Sequence, residues 1–380
     1  IETDDGYAIW DDLTEAIYID DEGVSEEFKS EWQANDYLEQ VKKSVSEKEA
    51  AEWLYVERTK QNTSIEQAAA HFRALLTEQL NRQVRMAQGS PAKDFSRMEH
   101  IVIGLIPGDG IGPILMAQAR RVLEKLLAAE LACGRVELRD IEGLTIENRI
   151  AKMETVPADV LAAIKECDLL LKGPTTTPGK GDNLPNIESA NVTLRRELDL
   201  FANVRPVVIP EKNIDWIFYR ENTEGEYALG SRGVEINDDI SIDFKVTTTI
   251  GTTRLAKAAF EYAKNNGNKN VSIVTKANIM KKTDGKFLSL CYDVAKDYPQ
   301  IKTDDWYVDI MAANLVNDQI NSNFNVFILP NLYGDIITDE AAQLQGGVGT
   351  AGSANIGGRY AMFEAIHGSA PRMVEDGIAE

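Results

Sequence analysis

The chain has 380 residues, of which 43% are hydrophobic and 27% are charged, an ordinary globular composition that indicates two or three domains. The net charge of −21 argues against a nucleic-acid-binding surface, and no apolar run is long enough for a membrane-spanning helix. The three cysteines form no CxxC pair, so neither structural zinc nor a disulfide framework is expected. No signal-peptide pattern is present, and we predict a cytoplasmic protein whose front is cropped at Ile1.

Residues 1–97 have the pattern of an acidic helical extension. Residues 1–40 hold fourteen acidic residues and one lysine, which is typical of a solvated, partly disordered arm. Ser46 with Glu49, and Ser64 with Gln67, fit the box that caps a helix start. After the second box, apolar residues at helical spacing predict one packing face that ends before the breakers at 89–91; they are Ile65, Ala68, Ala69, Phe72, Leu75, Leu76, Leu80 and Val84. Nothing here has catalytic spacing, so we expect a role in packing or assembly.

From Met98 onward the pattern changes to that of an α/β fold. The run IVIGLI at 101–106 is a short apolar segment suited to a buried parallel strand. Further apolar runs then alternate with helical patterns along the chain, as expected for βαβ units. The glycines of PGDGIGP, namely Gly108, Gly110 and Gly112, have the spacing G-x-G-x-G and not that of a dinucleotide fingerprint. We therefore assign them mainly to backbone geometry.

A second segment carries groups that bind anions. Ser189, Asn191, Arg195 and Arg205 place a hydroxyl, an amide and two guanidiniums within a short span, and a helix start at Ser189 would add free backbone amides. Arg220 and Tyr227 follow within FYRENTEGEY. Three arginines among hydroxyl groups favour a substrate with several carboxylates, although any one of them could instead form a surface salt bridge.

The stretch NLYGDIITDE places Asp335 and Asp339 four residues apart, on one face of a predicted helix. Two like charges at this spacing repel each other unless a cation lies between them. The pair therefore indicates a cation site, and the spacing alone leaves open which cation it binds.

Seven motifs in this order resemble the isocitrate and isopropylmalate dehydrogenase family over residues 98–380. They are PGDGIGP, SxNxxLR, LDLFANVRP, YRENTEG, KANIMK, GDIITDE and FEAIHGSAP. The resemblance implies a two-domain α/β fold that is not a Rossmann fold, here with the N-terminal helical extension. It implies a large domain of residues 98–200 and 346–380, a small domain of residues 201–345 with dimer-interface elements, and a homodimer whose subunits share each site.

The resemblance also implies a role for each matching residue. Ser189, Asn191, Arg195, Arg205 and Arg220 would bind substrate, and Tyr227 and Lys276 would be catalytic. Lys276 and Asp309 would come from the neighbouring subunit, and Asp309 would complete the Mg²⁺ or Mn²⁺ site of Asp335 and Asp339. The dinucleotide would be bound by Thr176, Asn278, Glu364, His367, Gly368, Ala370 and Arg372.

The polar pair Ser189 and Asn191 favours isocitrate, because isopropylmalate enzymes have apolar residues there. The expected reaction is oxidative decarboxylation of this tricarboxylate to 2-oxoglutarate. The loop GKGDNLPNIE ahead of Ser189 is longer than in typical bacterial isocitrate enzymes, so homoisocitrate stays open as a substrate. A regulatory subunit without catalysis is a third alternative, but such subunits are expected to lose the tyrosine, the lysine or the metal aspartates. All of these are retained here.

The cofactor is NADP or NAD. An acid after HGSAP would bind the ribose hydroxyls of NAD, but Arg372 stands there, followed by Met373. A guanidinium can pair with a 2′-phosphate, so the sequence leans to NADP. Family members continue past this loop with helices that finish the large domain, so we expect the chain to be a fragment of a longer protein that continues after Glu380.

Overall fold

The computed structural model describes residues 2–3, 6–7, 10–11, 16–17, 62–88, 93–178, 185, 187–230, 232–237, 240–267 and 269–375. Two compact units make up the chain, Ile1–Arg73 and Ala74–Glu380. Ser46 and Glu49 lie outside the described residues, as does most of the predicted acidic arm. Within that arm, β1 (Glu2–Thr3) pairs with β2 (Gly6–Tyr7), and β3 (Trp10–Asp11) pairs with β4 (Ala16–Ile17).

The predicted helix of the extension is present as α1 (Asn62–Gln88), which starts two residues before Ser64 and ends directly ahead of the predicted breakers. The prediction of one apolar packing face is wrong in part. Leu75 is 4% exposed, but Leu76 and Leu80 are 47% and 68% exposed. The polar side chain of Gln79 is buried on the packed side instead.

The rest of the chain alternates strands and helices, as predicted. The strands are β5 (Ile101–Ile106), β6 (Val136–Asp140), β7 (Leu169–Lys172), β8 (Ala202–Ile209), β9 (Ile214–Glu221), β10 (Val234–Asn237), β11 (Ile240–Ile242), β12 (Val271–Thr275), β13 (Thr303–Tyr307), β14 (Val326–Leu329), β15 (Gly352–Ile356) and β16 (Ala361–Ala365). The helices are α2 (Gly112–Leu126), α3 (Ala128–Ala132), α4 (Ile146–Lys152), α5 (Ala158–Lys165), α6 (Ala190–Glu197), α7 (Thr249–Asn265), α8 (Thr283–Ala295), α9 (Val308–Leu315), α10 (Asn331–Gln345) and α11 (Pro371–Glu375).

Ten strands form one continuous sheet in the order β13-β12-β14-β9-β8-β15-β16-β7-β5-β6. The four strands from β13 to β9 are mutually parallel, and so are the four from β16 to β6. Between these two wings, β8 and β15 join the sheet through antiparallel pairs. This mixed sheet with helices confirms the predicted α/β fold and differs from a Rossmann sheet, which is mostly parallel throughout.

The wings are stable because apolar strands are covered on both faces. All residues of β12 and β14 are buried, as is typical of parallel strands between helices. Phe260 and Phe287, from α7 and α8, belong to the core on one face. On the other face Phe218 stacks on Phe327 at 4.4 Å between ring centroids, and Ile337 of α10 joins that core. Helix α10 is thereby fixed against the sheet.

This topology places the site. In the register of β9 with the parallel strand β14, Arg220 lies opposite Leu329, at the carboxyl ends of both strands. Helix α10, with the two aspartates, starts two residues after Leu329. The arginine and the aspartates therefore meet at one edge of the sheet, where ligands bind in open α/β sheets.

Candidate active site

Arg220 is fully buried and fixes the first turn of α10. Its Nε donates to the carbonyl of Asn331 at 2.9 Å, its Nη2 donates to Asn331 Oδ1 at 2.7 Å, and its Nη1 pairs with Asp335. A Cβ atom at Gly334 would lie 2.5 Å from Arg220 Cγ, so a glycine is required for this close packing. The Arg220 guanidinium is therefore fixed by its hydrogen bonds to Asn331, by its ion pair with Asp335 and by the close packing at Gly334.

Arg205, on the neighbouring strand β8, bridges the two predicted metal ligands. Its Nη2 lies 3.3 Å from Asp335 Oδ1, and its Nη1 lies 3.3 Å from Asp339 Oδ1. Nη1 also donates to the hydroxyl of Thr338. The two carboxylates thus share one face of α10, as their spacing of four residues predicts.

Tyr227 lies against the same carboxylate. Its hydroxyl donates to Asp335 Oδ2 at 2.8 Å, and the guanidinium of Arg220 lies 5.3 Å from the centre of its ring. Burial and the adjacent charge of Asp335 raise the pKa of the phenol above its usual value. Tyr227 therefore keeps its proton at neutral pH, as a proton donor must.

The environment pushes the pKa values of the two aspartates apart. Burial raises the pKa of Asp335, but the charges of Arg220 and Arg205 outweigh burial and bring it below its usual value. Burial also raises the pKa of Asp339, where Arg205 compensates less and Asp335 adds repulsion. Asp335 is therefore held ionised, and Asp339 gains most from a further cation.

The arginines of the site also carry N–H donors for which the described part of the protein supplies no acceptor. Burial and the repulsion of Arg195 lower the pKa of Arg220 to about 9, and burial lowers the pKa of Arg205 as well. Among the described residues, the Nε atoms of Arg195 and Arg205 are buried without a hydrogen-bond partner. Buried donors of this kind are rare unless a ligand satisfies them. An anion with several carboxylates would do so.

A cavity of about 110 Å³ brings predicted substrate and cofactor residues together. Its lining includes Asn191, Arg195, Arg205, Glu364, His367 and Gly368. The amide of Asn191 accepts a hydrogen bond from Thr175, which also lines the cavity. Ser189 is the N-cap residue of α6, and its side chain makes no capping hydrogen bond.

Glu364 is a buried charge with partners that the sequence interpretation missed. Its Oε2 lies 3.0 Å from Lys172 Nζ, and its Oε1 lies 3.2 Å from Arg195 Nη2 and accepts from Asn355 at 2.9 Å. Although burial raises its pKa, the charges of Lys172 and Arg195 lower it to about 2. Lys172 ends the apolar run CDLLLKGP, and a lysine at the end of a buried strand is the signal that could have identified it.

The glycine loop packs against the HGSAP turn. Gly110 has a φ of 57°, and a Cβ atom there would lie 2.0 Å from the carbonyl oxygen of Ser369. Asp109 accepts hydrogen bonds from the amides of Ile146 and Thr176, and the hydroxyl of Thr176 lies 2.7 Å from that of Ser369. The glycines therefore allow close backbone approach, as predicted, and Thr176 lies beside the turn. Asp109 and Ser369 belong to the quoted motifs but were not singled out.

Lys276 and Asp309 lie at a different place in the chain's fold. Lys276 follows β12, and its Nζ is 2.5 Å from Asp309 Oδ1. In the described part of a single chain, neither Lys276 nor Asp309 contacts Asp335 or Asp339. The same described part contains no cluster of three side chains that could hold a metal ion. Their predicted role therefore requires the second subunit.

The other predicted cofactor residues are spread along the surface. His367 is partly exposed, and its Nδ1 lies 2.9 Å from the carbonyl of Gly368. Ala370 has a φ of 40°, which shapes the turn ahead of α11. Arg372 is exposed in the first turn of α11. Asn278 follows Lys276 and does not line the 110 Å³ cavity.

Comparison with known proteins agrees with the motif order. A model of the isocitrate/isopropylmalate dehydrogenase family matches residues 102–380. The probable isocitrate dehydrogenase (NAD) subunit alpha, mitochondrial, of Caenorhabditis elegans is 40% identical over 71% of this chain and 73% of its own length. The homoisocitrate dehydrogenase of Methanocaldococcus jannaschii is 37% identical over 72% of this chain and 80% of its own.

An isocitrate dehydrogenase (NADP) of Rickettsia prowazekii is 40% identical over 72% of this chain and 55% of its own length. In structure, the isocitrate dehydrogenase of Methylococcus capsulatus superposes with a TM-score of 0.64 at 37% identity, covering 73% of this chain and 81% of that one. No helix in the described ranges has the length and hydropathy that crossing a bilayer requires. The fold, the ordered motifs and these relatives agree that the chain belongs to the isocitrate/isopropylmalate dehydrogenase family.

Proposed function

We propose that the chain catalyses the oxidative decarboxylation of isocitrate to 2-oxoglutarate with NAD⁺ or NADP⁺, assisted by Mg²⁺ or Mn²⁺. The observation that carries the proposal is the convergence of Arg195, Arg205 and Arg220 with Tyr227 and Asp335 at one sheet edge. A substrate with several carboxylates matches these cations, because a guanidinium pairs with a carboxylate through two parallel hydrogen bonds.

The substrate carboxylates would lie in the cavity lined by Asn191, Arg195 and Arg205. The guanidiniums of Arg195 and Arg205, which line this cavity, would each pair with a carboxylate. Ser189 would contribute its hydroxyl, which its own helix does not use. The polar side chains of Ser189 and Asn191 favour a tricarboxylate over isopropylmalate, whose isopropyl group would leave them unpaired.

The cation would be held by Asp335 and Asp339 together with Asp309 of the partner subunit. The donor set fits, because all three groups are carboxylates, and the side chain of Asp339 is 57% exposed with one long contact to Arg205. When bound, such an ion polarises the substrate hydroxyl and stabilises negative charge on its oxygen. The family resemblance supplies the third carboxylate, that of Asp309, from a second subunit, so the proposal includes a homodimer with shared sites.

Two side chains of the protein would move protons. Lys276 of the partner subunit would accept the proton of the substrate hydroxyl. Tyr227, which keeps its phenolic proton at neutral pH, would donate one to the carbon that has lost carbon dioxide. Asp335 orients Tyr227 for this step through the 2.8 Å hydrogen bond.

The dinucleotide would bind beside the HGSAP turn, against Thr176, Glu364, His367, Gly368 and Ala370, with Asn278 and Arg372 as further contacts. The relatives named above include both an NAD and an NADP enzyme. Arg372 is the feature that favours NADP, through the 2′-phosphate. The cytoplasmic location stays a prediction, and the name of one relative includes the word mitochondrial.

Homoisocitrate is the second candidate substrate, since one relative carries that name. The long loop that keeps it open lies outside the described residues at 179–184 and 186. A regulatory subunit without catalysis is the third candidate, but Tyr227, Lys276 and the three aspartates are all retained.

The test is a panel of isocitrate, homoisocitrate and isopropylmalate with each dinucleotide, in the presence of Mg²⁺, on the full-length protein. The proposal expects the highest kcat/KM with isocitrate. Faster turnover of isopropylmalate would overturn the substrate assignment, and no turnover of any of the three would favour the regulatory role.

A further inference from the structure

The C-terminal half of α1 packs against the segment that carries the predicted catalytic tyrosine. Leu75 is buried in one apolar cluster with Ala228 and Leu229, directly after Tyr227. Glu78 pairs with Arg232 on the same segment. This half of the helix, from Ala74 on, belongs to the same compact unit as the site, yet it lies outside the stretch matched by the family model, which starts at residue 102.

Arg82 makes the most specific of these contacts. Its Nη1 donates to the backbone carbonyl of Thr223 at 2.9 Å. Thr223 belongs to the YRENTEG motif and lies between Arg220 and Tyr227 in the chain. A side chain of the extension thus fixes the backbone of a loop that links a proposed substrate ligand to the proposed proton donor.

Arg82 also supplies charge where two acids are buried. Glu221 and Glu224 are 2% and 1% exposed. Glu221 accepts the amides of Thr223 and Glu224, and Glu224 accepts the amide of Thr248 at 2.9 Å. Burial and the nearby charge of Glu224 raise the pKa of Glu221 to about 7, while the positive charge of Arg82 acts to lower it. The guanidinium therefore favours the ionised, hydrogen-bonded form of this loop.

The two ends of the loop depend on Arg82 to different degrees. Arg220 is fixed by its own bonds to Asn331 and Asp335. The hydroxyl of Tyr227 is held by one hydrogen bond to Asp335. The loop ahead of it is also anchored at Gly225, which exchanges backbone hydrogen bonds with Val246, and at the Glu224 carbonyl, which accepts from Asn331 Nδ2 at 2.8 Å. Gly225, with a φ of 72°, gives that loop a turn that few other residues adopt. Loss of the Thr223 contact would displace the tyrosine more than the arginine.

We propose that Arg82 is a positioning residue of the active site. It holds the Thr223 carbonyl so that the hydroxyl of Tyr227 stays within hydrogen-bond distance of Asp335. The part of α1 from Ala74 on is then a working part of the compact unit that carries the site. This inference rests on the proposed function for its kinetic part, and its structural part stands on the contacts of the loop alone.

The experiment compares Arg82→Ala and Arg82→Lys with Arg97→Ala in the full-length protein. Arg97 has an 87% exposed side chain and is a matched control for the loss of an arginine. Displacement of the tyrosine predicts a fall of kcat by about tenfold or more in Arg82→Ala, with the KM for isocitrate within about twofold. Arg82→Lys, which retains the charge and a donor, is expected to recover most of the loss. If Arg82→Ala does not fold, Arg82→Gln takes its place.

Two further measurements separate positioning from simple stabilisation. In a Tyr227→Phe background, Arg82→Ala is expected to lower kcat by less than about twofold, because the group on which it acts is gone. Amide hydrogen exchange at residues 221–228 is expected to accelerate in Arg82→Ala and not in Arg97→Ala. An equal effect of Arg82→Ala in both backgrounds, or unchanged exchange, would overturn the proposal.

If the wild type turns over none of the candidate substrates, the proposed function fails, and the exchange measurement alone decides whether Arg82 holds the loop.

Discussion

Lys245 and Asp284 form a buried ion pair that connects the segment of Tyr227 with the loop of Lys276. The side chains are 6% and 0% exposed. Lys245 Nζ also lies 3.2 Å from Glu226, next to Tyr227, while the other oxygen of Asp284 accepts the amide of Lys276 at 2.8 Å. In the proposed dimer, Tyr227 acts in the active site of its own subunit and Lys276 in that of the neighbouring subunit. The ion pair of Lys245 and Asp284 therefore connects segments that belong to two different active sites.

Lys245→Met is expected to destabilise the protein, because it leaves the carboxylate of Asp284 buried without its countercharge. Breaking such a pair lowers the free energy of unfolding by about 3–5 kcal/mol. Urea denaturation measures the change. The control is Lys212→Met, which removes a surface pair with Asp318 and is expected to change stability by less than about 1 kcal/mol. Equal midpoints for both variants would show that Lys245 is not structurally important.

Some of the site could be predicted from the sequence because local geometry determines it. A spacing of four residues places Asp335 and Asp339 on one helical face whatever the fold. The partners of Asp335 could not be predicted in this way, because Arg220 lies 115 residues away and reaches it only through the pairing of β9 with β14. Motif order, through the family resemblance, predicted a substrate-binding role for that arginine but not its contacts.

The extension illustrates the opposite case. Helical periodicity predicted α1 correctly, but it also predicted that the apolar stripe packs, whereas Leu76 and Leu80 are exposed. Besides the apolar contact of Leu75, this helix is held by a guanidinium on a backbone carbonyl, from Arg82 to Thr223. Hydrophobic patterning carries no signal for such a contact, since an arginine on a helix has the pattern of a solvated face.

Asp339→Asn is expected to lower kcat/KM by about 100-fold or more and to raise the Mg²⁺ concentration needed for half-maximal activity. Among the described residues its carboxylate has one ion-pair contact, to Arg205, so the substitution disturbs the protein less than the same change at Asp335. The measurement is initial rate against Mg²⁺ concentration. Asp318→Asn, at a side chain that is 73% exposed, is the control. Undiminished turnover in EDTA would contradict the need for a cation.

Ser189→Asp is expected to raise the KM for isocitrate steeply, because it adds a negative charge at the N-cap position of α6, where we place a substrate carboxylate. Ser189→Ala, which removes the hydroxyl without adding charge, is expected to raise the KM less. Steady-state kinetics of both variants check this. An unchanged KM in Ser189→Asp would count against the placement and against isocitrate.

The lowered pKa of Glu364 leads us to expect that the protein loses stability in acid. Its pKa in the folded protein is about 2, below the ordinary value of 4.5, so the unfolded chain binds more protons between these two pH values. Its stabilising contribution is therefore complete above pH 4.5 and is lost as the pH falls toward 2, roughly 3 kcal/mol in total. Unfolding free energies from pH 7 down to pH 3 measure it.

In Glu364→Gln this pH dependence is expected to be shallower, and stability at pH 7 is expected to fall, because Lys172 and Arg195 lose their countercharge. Glu197→Gln, at a side chain that is 45% exposed, is the control and should leave the profile unchanged. A Glu364→Gln profile as steep as that of the wild type would rule out this carboxylate as the source.

Arg372 is predicted to set the preference between the two dinucleotides. A bidentate contact with a 2′-phosphate contributes about 1.5–3 kcal/mol, which corresponds to about a 10–150-fold preference for NADP. Arg372 is exposed in the first turn of α11, and solvent screening at such a position reduces a charge contact to under about 1 kcal/mol, or about fivefold. Met373 offers no second donor.

We therefore expect a modest preference for NADP, and Arg372→Asp is expected to reverse it, because a carboxylate accepts hydrogen bonds from ribose hydroxyls and repels a phosphate. The measurement is kcat/KM with both cofactors in the full-length protein; a wild type that prefers NAD, with a ratio that Arg372→Asp leaves untouched, would make Arg372 a solvated surface residue.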